Sequence, residues 1–277
     1  MTPRTRRSDV HPVDTVLVRG GGDLATGIVW RLTRSGWPVV VTELARPLAV
    51  RRTVSLSSAV TDGEVTIEGM IGRRCDLEPD QTGGLSWALS LPAQGMVPVV
   101  VSPELPSLTY WAVVDARMAK HNIDTRIDDA MAVIGVGPGF SAGVDCHAVV
   151  ETQRGHHLGR VLWEGSAAPN TGTPGVVEGR GRERVLRAPV AGTVKWRTGI
   201  GDLVTTGQVL GSVGGHDIGA PFEGVVRGLI LDGSTVAAGL KIGDVDPRLD
   251  PSTCHQISDK ALAIGGGVVE ALACLAP

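Results

Sequence analysis

The sequence predicts an α/β protein: a mostly parallel sheet wound by helices, then a small duplicated all-β module and a C-terminal helix. Three observations predict this. Short apolar runs alternate with glycine-rich or helical stretches through residues 15–164, the pattern of a parallel sheet. In the second half a motif recurs 32 positions later without a gap. A final apolar stretch follows Ser258, a residue suited to capping a helix.

At 277 residues the chain has room for two domains of roughly 100–200 residues. The expected divisions are an N-terminal tail at 1–14, the α/β domain at 15–164, a linker at 165–182, the duplicated module at 183–248 and the C-terminal helix at 249–277. Hydrophobic residues at 42% and charged residues at 20% exclude a disordered or coiled-coil chain. Glycine supplies 38 residues, about twice the usual share, with no collagen period, so the excess belongs to turns and close backbone approaches. Aromatic residues make up only 3% and the net charge is −3, which disfavours nucleic acid as a partner. Arg4, Arg6 and Arg7 make the start basic, but no apolar segment follows them. Ala261–Pro277 is short, rich in glycine and broken by Glu270, so no membrane span is expected and the chain reads as cytoplasmic. The four cysteines form no C-x-x-C pair, which argues against a disulfide framework or structural zinc.

Thr15–Arg19 reads as the first strand, and Gly20-Gly21-Gly22-Asp23-Leu24-Ala25-Thr26-Gly27 as a glycine turn opening a helix that ends near Ser35-Gly36. Gly20, Gly22 and Ala25 satisfy G-x-G-x-x-[GA]. In that pattern the first glycine permits the turn, the second admits a pyrophosphate to the backbone, and the third position lets helix and strand approach. With Asp23 these residues are the candidate diphosphate-binding loop, since a helix start offers free N–H groups and a positive dipole end. The second strand, Pro38–Thr42, ends at Glu43, about twenty residues on, where such Rossmann-like folds place the carboxylate that binds a ribose hydroxyl. Arg46, Arg51 and Arg52 follow and are candidates for selecting a phosphorylated nucleotide. The alternative is a glycine-rich turn that binds nothing.

Further strands are expected at Glu64–Glu68, Val97–Val101, Trp111–Asp115 and Met131–Val136, with helices near Gly84–Leu91 and Arg117–His121. The Met131–Val136 strand runs into a second glycine-dense loop, in which Gly137 and Gly139 are candidates for holding another anionic group. If Val144–Thr152 is a strand, Asp145 and His147 share a face and form a candidate acid/base pair, or a metal site with His156. Cys75 beside Arg73 and Arg74 is either a reactive thiolate or an inert surface cysteine.

Ala188-Pro189-Val190-Ala191-Gly192-Thr193-Val194 recurs as Ala220-Pro221-Phe222-Glu223-Gly224-Val225-Val226. The register then holds to Val213 and Val245, which implies two interlocked hairpin units whose Val194 and Val226 are equivalent and interior. The module resembles the biotinyl/lipoyl-like barrel-sandwich hybrid. In that family's carriers the modified lysine sits at the hairpin joining the halves, and here Gly214-Gly215-His216-Asp217 stands in its place. Neither biotin nor lipoate is therefore expected, and the module reads as structural or as a docking surface. Gly265-Gly266-Gly267 in the last helix costs roughly 1 kcal/mol per glycine, which points to close packing, onto the first domain.

Taken together, Val18–Gly27, Arg51-Arg52-Thr53-Val54, Val114–Lys120, Asp124-Thr125-Arg126, Gly137-Pro138-Gly139-Phe140 with Asp145 and His147, and Ser258–Gly267 resemble the YqeB family. Its members are called selenium-dependent molybdenum hydroxylase system proteins, and the first domain is also similar to that of XdhC-type accessory factors. The resemblance implies a maturation factor for molybdenum-cofactor hydroxylases of the xanthine dehydrogenase type. Its partners would be the hydroxylase or its maturation machinery, and its ligand a nucleotide or dinucleotide, either the molybdenum cofactor dinucleotide or NAD(P). It implies no catalytic residues, so whether the chain is an enzyme stays open. An NAD(P)-dependent oxidoreductase, a non-catalytic adaptor and a homo-oligomer all remain compatible with the residues.

Overall fold

The computed structural model describes residues 15–76, 91–106, 110–172 and 175–276. The basic residues Arg4, Arg6 and Arg7, and the helix expected over Gly84–Leu91 up to residue 90, lie outside them. The chain divides into two compact units, one drawn from Met1–Ala45, Leu56–Asn170 and Ile257–Pro277, the other from Arg46–Ser55 and Thr171–Gln256.

The first unit is built on one large sheet. Its strands are β1 (Val16–Arg19), β2 (Val39–Glu43), β3 (Glu64–Ile67), β4 (Met70–Cys75), β5 (Met96–Val101), β6 (Ala112–Asp115), β7 (Ala132–Val136), β9 (Ala148–Val150) and β10 (Val161–Leu162). They lie in the order β10-β9-β7-β6-β1-β2-β5-β4-β3, parallel except for the outermost β10 and β3. The central strands are near-continuous β-branched runs, and Val16, Leu17, Val18, Val113 and Val114 are fully buried, as a sheet covered on both faces requires. After β5 the chain crosses to the other side of β1, so strand order reverses between β1 and β6. Ligands of open α/β sheets bind outside the carboxyl ends of such a pair.

Helix α1 (Asp23–Arg34) follows β1, and α2 is the single turn Ala59–Asp62. Helix α3 (Asp259–Leu275) begins where Ser258 Oγ accepts from Ala261 N at 3.2 Å, the cap expected from sequence. It packs on α1 through its glycines. A Cβ on Gly27 would lie 2.5 Å from the Ala261 Cβ, and one on Gly265 would lie 2.6 Å from the Gly27 carbonyl. Gly267 abuts the Gly159 carbonyl, and only Gly266 of the triplet faces open space. The glycines thus trade helix propensity for backbone-to-backbone approach.

Several expectations shift. The strand expected over Val144–Thr152 is confined to β9, because the chain between β7 and β9 forms the short β8 (Ser141–Ala142) and a turn in which Gly143 N bonds the Cys146 carbonyl. The helix expected at Arg117–His121 is absent; Met118 (φ 58°) and Lys120 (φ 68°) are left-handed there, which no helix accommodates. The stretch expected as linker begins inside the first unit, where β11 (Gly165–Ser166) pairs with β8 and Ala167 is buried. Arg46–Ser55, expected in the first domain, belongs to the second unit.

That second unit holds two four-stranded antiparallel sheets. Its strands are β12 (Val185–Arg187), β13 (Gly192–Trp196), β14 (Leu203–Val204), β15 (Val209–Val213), β16 (His216–Gly219), β17 (Gly224–Leu229), β18 (Thr235–Val236) and β19 (Lys241–Asp246). The sheet orders are β12-β19-β17-β14 and β16-β15-β13-β18. Shifting every strand of one copy of the repeat to its counterpart in the other converts one order into the other, the signature of an interlocked pseudo-twofold. Each sheet combines two strands of one copy with two of the other, β12 on β19 and β14 on β17 in the first, β16 on β15 and β18 on β13 in the second. Val194 and Val226 are both fully buried in one shared core with Leu210, Ile242 and Phe222.

Candidate functional site

The residues at the carboxyl ends of β1, β2 and β6 meet around the first glycine turn. Gly20 (φ 94°) turns the chain out of β1 and passes against the backbone of Arg117 on the loop after β6, 3.1 Å from the position of its absent Cβ. Gly21 is held from three directions. Its amide donates to Glu43 Oε2 at 2.8 Å, its carbonyl accepts from Ser57 N at 2.8 Å, and a Cβ would lie 2.9 Å from that same nitrogen. Thr26 locks the far side, donating to the Gly22 carbonyl at 2.9 Å and accepting from Leu56 N at 2.9 Å.

Gly22 differs from its neighbours. It is the N-cap of α1, with φ −67°, a conformation open to any residue, and a Cβ there would meet nothing within 4 Å. The internal packing that requires glycine at 20 and 21 is absent at 22, and the face left open adjoins the first amides of α1, which have no carbonyl one turn back to bond. Asp23 turns its carboxylate onto Leu24 N at 2.9 Å. Ala25 is buried, and it stands at the position where the fingerprint needs a small residue.

Glu43 braces the loop. Besides Gly21 it accepts from Leu44 N at 2.7 Å, and burial pushes its carboxyl above the ordinary value while these two amides pull it back. Beside the turn lies a closed ion network. Arg19, 1% exposed, reaches Thr125 Oγ1 at 3.0 Å and Asp124 at 2.7 Å, while Arg117 bridges Asp115 at 2.5 Å and Asp124 at 2.7 Å. The Arg19 hydrogen bond, more than any other contact, holds the Asp124 carboxyl below the usual range. Two cations against two carboxylates leave this cluster satisfied, so it pins the loop after β6 to the sheet.

Other expected site residues are placed elsewhere. Gly137 is closed by Thr152, whose Oγ1 would lie 2.8 Å from a Cβ, and Gly139 by the backbone of His121, so both glycines serve packing. Asp145 accepts from Ser141 N at 2.9 Å and Asn122 Nδ2 at 3.1 Å. His147 Nδ1 accepts from Val133 N at 3.0 Å, level with Leu17 and therefore two residues back from the end of β1. Each side chain is bound to a different part of the fold, and the acid/base pair is not assembled. Among the described residues no group of three or more His, Cys, Asp or Glu side chains is placed to hold a metal ion. Arg51 and Arg52 lie in the second unit, where they donate to the Thr253, Gln256 and Leu229 carbonyls. Cys75 is a core residue, 1% exposed, with its thiol pushed up to about 11 by burial. No helix among the described residues is long and apolar enough to cross a membrane.

Sequence reasoning missed two residues at this turn. The hydroxyl of Ser57, 1% exposed, has no hydrogen-bond partner among the described residues. Lys260, in the first turn of α3, faces Asp23, Glu151, Asp259 and Arg154. Its only sequence signal was its place in the Ser258–Gly267 motif.

No protein-family model matches the chain. It is 46% identical over 260 residues, 93% of its length, to "Uncharacterized protein YqeB" of Escherichia coli strain K12. The chain spans 47% of that relative, about half its length. Among solved structures it is similar to a succinylglutamate desuccinylase/aspartoacylase from Rhodobacter sphaeroides, at 16% identity over 86% of this chain and 87% of the other. The TM-score of that match is 0.27, too low to carry a fold assignment.

Proposed function

We infer that this chain, whose likeness to YqeB supports its place in that family, is an accessory factor for the maturation of molybdenum-cofactor hydroxylases of the xanthine dehydrogenase type. In this reading the first unit is Rossmann-like and binds a nucleotide or dinucleotide, the dinucleotide form of the molybdenum cofactor or NAD(P). The diphosphate lies on Gly20, Gly22, Asp23 and Ala25. Glu43 braces the turn and keeps one edge of its carboxylate for a ribose hydroxyl. The second unit is barrel-sandwich hybrid-like and has no lysine at its Gly214-Gly215 tip, so it serves as scaffold or docking surface for the hydroxylase or its maturation machinery, in the cytoplasm.

The observation that carries the nucleotide reading is the open face of Gly22 at the strand-order reversal. Nothing within the fold requires glycine there, whereas a phosphate approaching the backbone does. Delivery of a ligand is favoured over hydride transfer because Asp145 and His147 are engaged separately.

Gly22→Glu tests the reading in cells. The substitution fits the open space and the negative φ, so the chain should fold, while the side chain and its charge fill the phosphate position. In a strain lacking its own copy, the variant should fail to restore molybdenum hydroxylase activity although it accumulates normally. Full restoration would make nucleotide binding dispensable and leave the chain a non-catalytic adaptor.

A further inference from the structure

Lys260 is brought near the amino end of α1 by the helix contact already described. Ala261 touches Gly27, one turn into α1 from Asp23, so the preceding residue stands at the level of the α1 amino end. The Lys260 side chain is half-buried, yet among the described residues its ammonium has no hydrogen bond and no ion pair within 4.0 Å. The charged groups facing it are Arg154, which opposes its charge, and Asp23, Glu151 and Asp259, which favour it. Each of those carboxylates has partners of its own, Asp23 accepting from Leu24 N at 2.9 Å. Asp259 binds Arg154 at 2.8 Å, and Glu151 accepts from the Thr152, Gln153 and Ala168 amides at 2.6–2.7 Å. Burying an ammonium without a partner is costly, and the cost is recovered when an anion enters.

A second donor stands at the same turn. Ser57 bonds the Gly21 carbonyl through its amide, and its hydroxyl, 1% exposed, is unpartnered among the described residues. The segments that carry this ammonium and this buried hydroxyl are thus both packed against the amino-terminal part of a twelve-residue helix, Ala261 on Gly27 and Ser57 on Gly21.

We propose that Lys260 is the cationic arm of the glycine-turn site, its ammonium pairing with a phosphoanhydride oxygen of the ligand seated at the amino end of α1. The proposal rests on the nucleotide-binding reading above and specifies the residue that recognises the charge. Lysine suits the task because it meets phosphate as a point charge and needs no fixed fork geometry. Lys260 lies about 240 residues along the chain from the turn it serves, and docking of α3 on α1 is what delivers it.

The chain has four lysines, Lys120, Lys195, Lys241 and Lys260, so amine labelling resolves the question directly. Acetic anhydride labelling, read by mass spectrometry with and without pyrophosphate or CDP, should show Lys260 protected and the other three unchanged. Lys260→Ala should weaken binding of both probes about ten- to a hundredfold, and Lys260→Arg should retain most of it. If CDP binds but leaves Lys260 labelling and affinity unaffected, this proposal is overturned and the nucleotide reading stands. If pyrophosphate protects Lys260 while CDP, CTP, ATP and NAD do not bind, the anion site stands and the nucleotide reading falls. If no probe binds, both fall. Should Lys260→Ala fail to fold, protection of the unaltered chain still decides.

Discussion

Gly265→Ala and Gly266→Ala are adjacent and chemically identical substitutions, yet the structure assigns them opposite effects. Each replaces a glycine inside α3, and each should gain roughly 1 kcal/mol of helix propensity. At Gly266 the new methyl meets nothing within 4 Å, so that gain should appear undiminished. At Gly265 it would lie 2.6 Å from the Gly27 carbonyl oxygen, 2.9 Å from Arg31 Cγ and 3.1 Å from the Gly27 carbonyl carbon. The arginine stem can swing aside, but the α1 backbone cannot, and an overpacked methyl of this kind costs about 1–3 kcal/mol. Because the propensity term is common to both, the difference between the variants isolates the packing cost. Urea unfolding followed at 222 nm reads the first unit, where the helices α1, α2 and α3 reside. Gly266→Ala should raise the midpoint, and Gly265→Ala should fall below Gly266→Ala by about 1–3 kcal/mol at unchanged m-value. Equal midpoints for the two variants would refute the close α1–α3 approach, and with it the placement of Lys260.

Three shorter predictions follow from buried groups. Asp246, fully buried, meets Arg248 at 2.7 Å and Arg184 and Arg227 at 3.7 Å, so Asp246→Ala should destabilise the second unit by about 3–5 kcal/mol in chemical denaturation. Burial raises the Asp246 carboxyl, but Arg248 and then Arg184 outweigh it and the net shift is downward; the stability it confers is therefore present above pH 3.8 and is lost as pH falls through the depressed value, whereas Asp246→Asn should lack that component. Burial pushes the Cys75 and Cys146 thiols up to about 11, so iodoacetamide at pH 8 should modify the exposed Cys274 first in native protein, and early labelling of Cys75 would contradict its place in the core. Loss of the His147 ring leaves the Val133 amide without its acceptor, so His147→Ala should cost about 1–3 kcal/mol of stability while nucleotide affinity, measured calorimetrically, stays unchanged.

Features carried by local pattern were legible in the sequence. The β-branched run before Gly20, the serine cap of α3 and the repeat each occupy a single stretch or a fixed spacing, and strand β1, helix α3 and the interlocked sheets followed from them. Glu43 was found at the end of β2, but its hydrogen bond to Gly21 depends on how the turn folds back. Pattern misled where the chain is irregular. The residues Arg117–His121 have helical composition, yet the loop is drawn against Gly137 and Gly139, and Met118 and Lys120 take left-handed backbone to reach them. Alternation places Asp145 and His147 on one strand face, whereas the turn closed by Gly143 N on the Cys146 carbonyl precedes the strand, which begins only at Ala148. Arg51 and Arg52 were assigned by proximity in sequence to Glu43, but their carbonyl partners are residues 229, 253 and 256. Lys260 was invisible as a site residue because what surrounds it, Asp23 on one side and Glu151 and Arg154 on the other, comes from two distant segments.

The central claim is that the open backbone at Gly22 receives the phosphates of a nucleotide. Isothermal titration of the purified chain with CTP, ATP, NAD, NADP and the molybdenum cofactor, alongside Gly22→Glu of unchanged unfolding midpoint, tests it most directly. At least one of these ligands should bind the native chain at a single site, and the variant should bind none. Heat of binding from no ligand, or equal binding by Gly22→Glu, would contradict the claim.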